Sequence, residues 1–365
     1  MTQCYLFKRN RIPDKARFPV IDAHNHLWAA WETVDSVVRV MDEVGVIAIS
    51  DLTANVVLQW GKGGYTFRDG DIRDFFANTA KRYPGRFFGF TTATFSRAID
   101  QPLFTDAGEF VDQTLAMLHD HVRLGARGLK ILKELGLHYR DGDGNLIRID
   151  DDKLAPIWEE AGKLGVPVLI HHSDPYGFFE PVTPENEHYD SMKKYPSWNF
   201  SGSKFPSKKD LLECRDRVLK NHPDTIFMLP HVANFAENLD YVSELLDKHK
   251  NVHIDFSARA DELGRQPYTS REFLIKYQDR VYFGTDMPVS LEMYRFYFRF
   301  LETYDEYFFA PDYDGTFDRR RWHVCGLGLP DDVLKKIYYE NALNLIPGLK
   351  GDVQRVKKQQ EGKMS

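Results

Sequence analysis

Two histidines one residue apart, His24 and His26, stand at the end of the apolar run VIDAHNHLW, from Val20 to Trp28. On a β-strand, side chains two apart share a face, so both imidazoles converge. On a helix the same pair would diverge by about 200°, from the 3.6-residue period. The apolar lead-in favours the strand, and two convergent imidazoles are half of a metal site. His-x-His is a weak signal by itself, and it gains force only if other elements bring further donors to the same place.

The elements that could do so recur along the chain. Short apolar runs alternate with amphipathic segments: VGVIAIS (Val44 to Ser50), RFFGFTTAT (Arg86 to Thr94), ARGLKIL (Ala126 to Leu132), VPVLIHHSDP (Val166 to Pro175), TIFMLPHVAN (Thr225 to Asn234), NVHIDFSAR (Asn251 to Arg259) and VYFGTDMP (Val281 to Pro288). With the first run they make eight strand-plus-helix units, which predicts an α/β fold, a (β/α)8 TIM barrel. Continuous apolar strands suit a sheet covered on both faces. A doubly wound sheet would place a glycine-rich phosphate loop after its first strand, where this chain has His24-Asn25-His26. Two long connections distort the barrel, one from Tyr176 to about Ser207 after strand five, one from Val289 to Pro330 after strand eight. The first reads as a lid or pocket loop. The second begins with the aromatic YRFYFRFLETYDEYFF, predicting a helix that then wraps the barrel or meets a partner subunit. A helix from Asp331 to Leu345 closes a single domain spanning 1–350, and 351–365 reads as a polar, mobile tail.

Barrel sites lie at the C-terminal ends of the strands. Those ends carry His24 and His26 on strand one, Lys130 on strand four, His171 or His172 on strand five, His231 on strand six and Asp286 on strand eight. Five strands thus deliver metal-binding or titratable groups to one end of the barrel. Arg259 ends strand seven and Arg265 follows it; either could grip a substrate carboxylate in a bidentate pair. Trp28, Asp174, Tyr176 and His172 are further candidates around the mouth.

The motifs IDAHNH, GLKI, PVLIH, LPHVAN and FGTDMP, with the closing YYENALNLI, resemble the amidohydrolase superfamily, in the branch containing aminocarboxymuconate-semialdehyde decarboxylase. The resemblance covers nearly the whole chain. It implies that His24, His26, His171 and Asp286 bind a divalent metal, with His171 chosen over His172 because the family places the ligand first. His231 is implied as a catalytic acid and base or a second-site ligand, Asp286 also as general base. Lys130 stands where many members carry a carboxylated lysine bridging two metals. One metal is favoured here, zinc first for this donor set, with Mn2+ or Fe2+ allowed and a second metal not excluded. A lysine beside a cation needs a depressed pKa, carboxylation or an anionic partner.

Composition sets the outer bounds. Of 365 residues 42% are hydrophobic, ample for a large core, and a formal charge of -6 argues against nucleic acid as a partner. Cys4, Cys214 and Cys325 form neither a disulfide framework nor a zinc pattern. No apolar run approaches the roughly 20 residues of a membrane span, and the N-terminus lacks a signal-peptide core, so a cytoplasmic location is expected. The aromatic stretch after strand eight allows a homodimer or larger homo-oligomer. Three apparent motifs are declined. HDH at His119 to His121 lies on a helix, where the rings diverge onto a solvated face. DGDGN, Asp141 to Asn145, reads as a hairpin turn because Leu146 stands where a calcium loop needs glycine. GKGGY, Gly61 to Tyr65, lacks the spacing of a phosphate-binding loop.

The leading expectation is therefore a metal-dependent hydrolase that uses a metal-bound water on a small lactone, ester or amide, its substrate bearing a carboxylate. The alternative is a non-oxidative decarboxylase of an unsaturated or aromatic carboxylate. A non-catalytic binding barrel is the remote third reading, and it predicts missing ligands.

Overall fold

A computed structural model describes residues 5, 11–28, 33–61, 64–97, 101–311 and 322–355. Eight parallel strands form the barrel. β1 (Val20–Asp22) pairs with β2 (Val46–Asp51), which pairs with β3 (Phe87–Gly89). β4 (Leu129–Ile131), β5 (Val168–Ile170), β6 (Phe227–Leu229), β7 (Val252–Asp255) and β8 (Val281–Tyr282) pair in sequence. The two arcs join through Thr91, whose carbonyl accepts from the Lys130 amide at 2.7 Å, and through Ala23, whose amide donates to Phe283 at 2.9 Å. Every strand read from the apolar runs is present, and the fold is a distorted TIM barrel.

Alternation along these strands sorts their side chains. Val168, Ile170, Phe227, Leu229, Val252 and Ile254 face the helical layer, while Ile21, Ala48, Phe88, Leu169, Met228 and Tyr282 fill the barrel. Lys130 and Asp255 fall on the inward parity. Leu345, Ile346, Leu349 and Val353 pack into the inner cluster. Residues 349–355 are helical, so the chain remains packed into the stretch expected to be a tail, and 356–365 lie outside the described residues.

The outer layer consists of α1 (Val34–Val44), α2 (Ile72–Phe75), α3 (Ala107–Leu124), α4 (Ala155–Lys163), α5 (Lys208–Asn221), α6 (Leu239–Lys248), α7 (Pro267–Lys276) and α8 (Leu291–Glu302). α5 starts in a capping box between Ser207 and Asp210, and α1 stops at Gly45, whose φ of 87° suits a left-handed cap. The closing helix runs Asp331–Lys335, a π turn Lys336–Glu340 and Asn341–Leu345. The aromatic stretch of α8 is buried against the barrel, with Tyr294, Tyr297, Phe298 and Phe300 all within the core. Those rings are occupied within the chain, whereas Tyr304 and Tyr307, later in the same aromatic stretch, are exposed. Part of that connection, 312–321, lies outside the described residues.

The connection after β5 folds on its own small core, in which Phe178, Met192, Tyr195, Trp198 and Phe200 meet Leu137 and Leu211. An antiparallel hairpin, Val56–Gly61 with Gly64–Asp69, follows β2 and was not foreseen. Of GKGGY, Gly61 pairs with Gly64 and Tyr65 continues the second strand, while residues 62 and 63 lie outside the described residues. DGDGN is a turn as expected, with Asp141 accepting from the amides of Asp143 and Asn145. HDH departs in one respect: His119 pairs with Glu160 at the surface, but His121 is buried, its Nδ1 2.6 Å from the Thr91 hydroxyl. Among the described residues no helix is long and apolar enough to cross a membrane.

Closure of the barrel makes Gly284 critical, because a Cβ there would lie 2.5 Å from the His24 Cβ. Gly284→Ala should lower stability by about 1–3 kcal/mol, the usual range for overpacking, seen as a reduced urea midpoint. Gly351→Ala, with nothing within 4 Å of the added carbon, should leave the midpoint unchanged or raise it.

Candidate metal centre

Three histidines present one ring nitrogen to a common carboxylate and anchor the other in the protein. His24 Nδ1 lies 2.8 Å from Asp255 Oδ2 and 3.0 Å from the Ser257 hydroxyl. His231 Nδ1 donates to the Ser257 carbonyl at 2.8 Å. His26 Nδ1 lies 2.9 Å from Thr53 Oγ1, whose own proton goes to Asp51 at 3.2 Å. Each anchor leaves Nε2 facing Asp286, at 3.6 Å from His24, 3.5 Å from His26 and 3.6 Å from His231. Asp286 is held in place by its own amide, which donates to the His24 carbonyl at 2.8 Å.

This donor set fits a divalent cation. One donor atom from each of His24, His26 and Asp286 lies within 4.8 Å of the others. Two donors each about 2.1 Å from one ion, at a near-tetrahedral angle, are about 3.4 Å apart. The observed separations match that figure better than they match hydrogen bonds. The His24 and His231 Nε2 atoms are buried and lack a hydrogen-bond partner among the described residues, which an unliganded polar atom rarely tolerates. Burial, reinforced by neighbouring cations, pushes the His26 and His231 imidazoles well below the usual histidine range, so they stay neutral, as ligands must. Anchoring of the far nitrogen is the usual companion of ligation.

His171 lies beside this group, its ring 4.5 Å from that of His231, but its Nε2 faces Asp174 Oδ1 at 3.4 Å. It is therefore near the three-donor cluster without belonging to it. Lys130 is fully buried on the pocket wall, its Nζ without a hydrogen-bond partner among the described residues, and burial pulls it down to about 8 despite Asp286, Asp255 and Glu134. Burial also raises Asp286, against the lowering effect of His24 and Lys130. Trp28 and Arg259 line the same pocket.

Three expected substrate contacts are elsewhere. Arg265 pairs with Glu187 at 2.7 Å and lies over Trp322, because it sits on the short helix Ala260–Arg265 rather than at the strand end. Tyr176 is half exposed and uses its amide to reach Glu237, whereas Phe178, two residues on, enters the pocket. His172 is buried against Gly136, on the opposite parity from His171.

Sequence reasoning missed several participants. Asp255 occupies a strand end as His24 does, so the test applied to histidines would have found it. Lys133 and Tyr65 gave no such signal. Lys133 lies 2.6 Å from Asp174 and within 6 Å of the Tyr65, Trp198 and Phe200 rings, and Tyr65 donates to Glu134 at 2.9 Å. Their partners come from three separate loops.

Backbone strain concentrates at these strand ends. His231, Val232, Ala233 and Asn234 have φ of 58°, 55°, 52° and 58°, and Asp286 has 51°. A non-glycine residue held there costs roughly 1–2 kcal/mol, and such strain gathers where function demands it. If the anchors orient the rings, Asp255→Asn and Thr53→Val should each weaken divalent-metal binding about 10–100-fold, as read by competition with a chromogenic chelator. Unchanged affinity in both would refute that role.

The profile of the amidohydrolase family matches residues 21–347. Among solved structures, 2,6-dihydroxybenzoate decarboxylase from Rhizobium is similar at 16% identity and a TM-score of 0.53, covering 92% of this chain and 99% of its own. A dihydroxybenzoic acid decarboxylase from Polaromonas, with bound manganese and 2-nitroresorcinol, is similar at 16% identity and a TM-score of 0.53, over 90% of this chain and 96% of its own. An uncharacterised TIM-barrel protein from Bordetella bronchiseptica is similar at 15% identity and a TM-score of 0.54, over 90% and 98%. No curated protein matches the sequence significantly. With the profile running from the first barrel strand into the closing helix, the chain belongs to the amidohydrolase family.

Proposed function

We propose that this protein is a metal-dependent, non-oxidative decarboxylase of an aromatic or unsaturated carboxylate. The carrying observation is the pocket wall. Trp28, Tyr65, Phe178 and Trp198, with Leu58 and Leu132, surround an opening onto His26, His171, His231 and Asp286, and Arg259, Lys130 and Lys133 are the cations that line it. A flat, unsaturated acid suits such a slot. The likeness to two aromatic-acid decarboxylases supports the same reading. It ranks above the hydrolase expected from the sequence, which would use the same donors, because the pocket is walled by aromatic rings and several similar structures are aromatic-acid decarboxylases.

His24, His26 and Asp286 would hold one divalent ion, and His171 would join them as the fourth donor by exchanging its 3.4 Å contact with Asp174. The manganese in the Polaromonas enzyme keeps the choice open beyond zinc. When bound, such an ion acts as a Lewis acid toward a substrate oxygen. Arg259 would orient the substrate carboxylate, and the aromatic walls would hold its plane and exclude water. His231, neutral with its proton on Nδ1, would take up a solvent proton at Nε2 and pass it to the carbon that loses CO2. The carbon–carbon bond breaks, its electron pair stays on that carbon, and a carbon–hydrogen bond forms. Lys130 would add positive charge to the pocket floor.

Turnover of hydroxylated benzoates or unsaturated acids in D2O should release CO2 and place one deuterium on the vacated carbon. Product carrying oxygen from 18O-labelled water would instead establish hydrolysis and overturn the proposal. His24→Ala and Asp286→Asn should each abolish turnover and reduce bound metal from about one ion per chain, while circular dichroism stays that of the parent. A fully active protein free of divalent metal would sink the metal assignment.

A further inference from the structure

α5 carries two buried cations on one face, Lys208 and Arg215, two turns apart. Lys208 is the first residue of the helix, where a positive charge opposes the helix dipole, and its head is buried as well. Helix stability does not account for it. Its Nζ donates to the Asp174 carbonyl at 2.5 Å and to the Asn234 carbonyl at 2.7 Å. Arg215 Nη1 donates to the Ala233 carbonyl at 2.5 Å. Ala233 and Asn234 end the run of four left-handed residues that begins at His231, and Asp174 is the residue facing His171. One ammonium thus joins the loop after β5 to the turn after β6.

We infer that Lys208 is a positioning residue that clamps the left-handed turn of 231–234 to the His171 loop and so sets the spacing of the two imidazoles. A left-handed run that includes a β-branched valine relaxes unless its carbonyls are held, and the chain holds two of them with cations from one helix. Phe235 and Phe179 flank the ammonium, at 5.0 and 5.9 Å to their ring centres, and keep the clamp dry. The inference rests on the proposed metal chemistry only in giving the imidazole spacing a purpose.

The test compares the full chain with Lys208→Met and Lys208→Arg, using Co2+ as the probe. In Lys208→Met, amide exchange at Asn234 and Phe235 should rise at least tenfold while β6 and β7 amides keep the parent rate. Co2+ affinity should fall at least tenfold with an altered visible spectrum, and Lys208→Arg should restore both. Exchange at the turn equal to the parent's, or a rise spread evenly through the barrel, would overturn the clamp. If Lys208→Met does not fold, Lys208→Gln carries the same readouts. A parent chain that binds no Co2+ would overturn the metal chemistry alone, and the exchange rates would still decide the clamp.

Discussion

One buried carboxylate sets the geometry of this barrel mouth. Asp255 accepts from His24 Nδ1 at 2.8 Å, from the His231 amide at 3.0 Å, and from the Ser257 amide and hydroxyl at 2.9 and 2.6 Å. Those donors come from the ends of strands one, six and seven. Burial alone would raise its pKa, but His24, Ser257 and the His231 amide outweigh that and hold it below the ordinary aspartate range. A buried charge survives only when its hydrogen bonds are satisfied, so losing any of these donors strains the rest. One anion aims the His24 imidazole directly and fixes the backbone that carries the His231 ring, and it need never touch a ligand.

Asp22 does comparable work at the seam between β1 and β8. It accepts from the Thr285 hydroxyl at 2.7 Å and amide at 3.1 Å, from Asn25 at 3.0 Å and from the Tyr294 hydroxyl at 2.8 Å. Thr285 immediately precedes Asp286, so the carboxylate that the histidines share is placed by a second, wholly buried one. Asn25, between the two histidines, donates to Asp22 and to the Met287 carbonyl at 3.1 Å. The His-Asn-His order thereby acquires a reason: the outer residues face Asp286, and the middle one ties the strand end to the seam.

Much of this was legible in the residue order because barrels obey local rules. Apolar runs marked all eight strands, and their C-terminal ends held His26, Lys130, His231 and Asp286 on the pocket wall, with His24 buried beside Asp286. Legibility failed where position depends on chain beyond the strand. Arg265 lies six residues past Arg259, far enough for a helical turn to carry it to Glu187. His171 occupies the expected strand end, but Asp174 competes for its Nε2, and no spacing rule reveals that pair. The hairpin of Val56–Gly61 and Gly64–Asp69 escaped because VVLQW alternates poorly, although Tyr65 on it completes the pocket wall.

The seam that unites β1 with β8 also has a temporal side. Asp22 and Thr285 are separated by 263 positions, and the floor of the barrel is filled by Leu345, Ile346, Leu349 and Val353. A nascent chain leaving the ribosome presents His24 and His26 first but cannot join them to Asp286 until most of the polypeptide has been made. Through that interval the β1 edge stands open, an unpaired strand of the kind that invites association with other chains. Non-local closure of this sort is slow, so the chemistry of the mouth is among the last things translation completes.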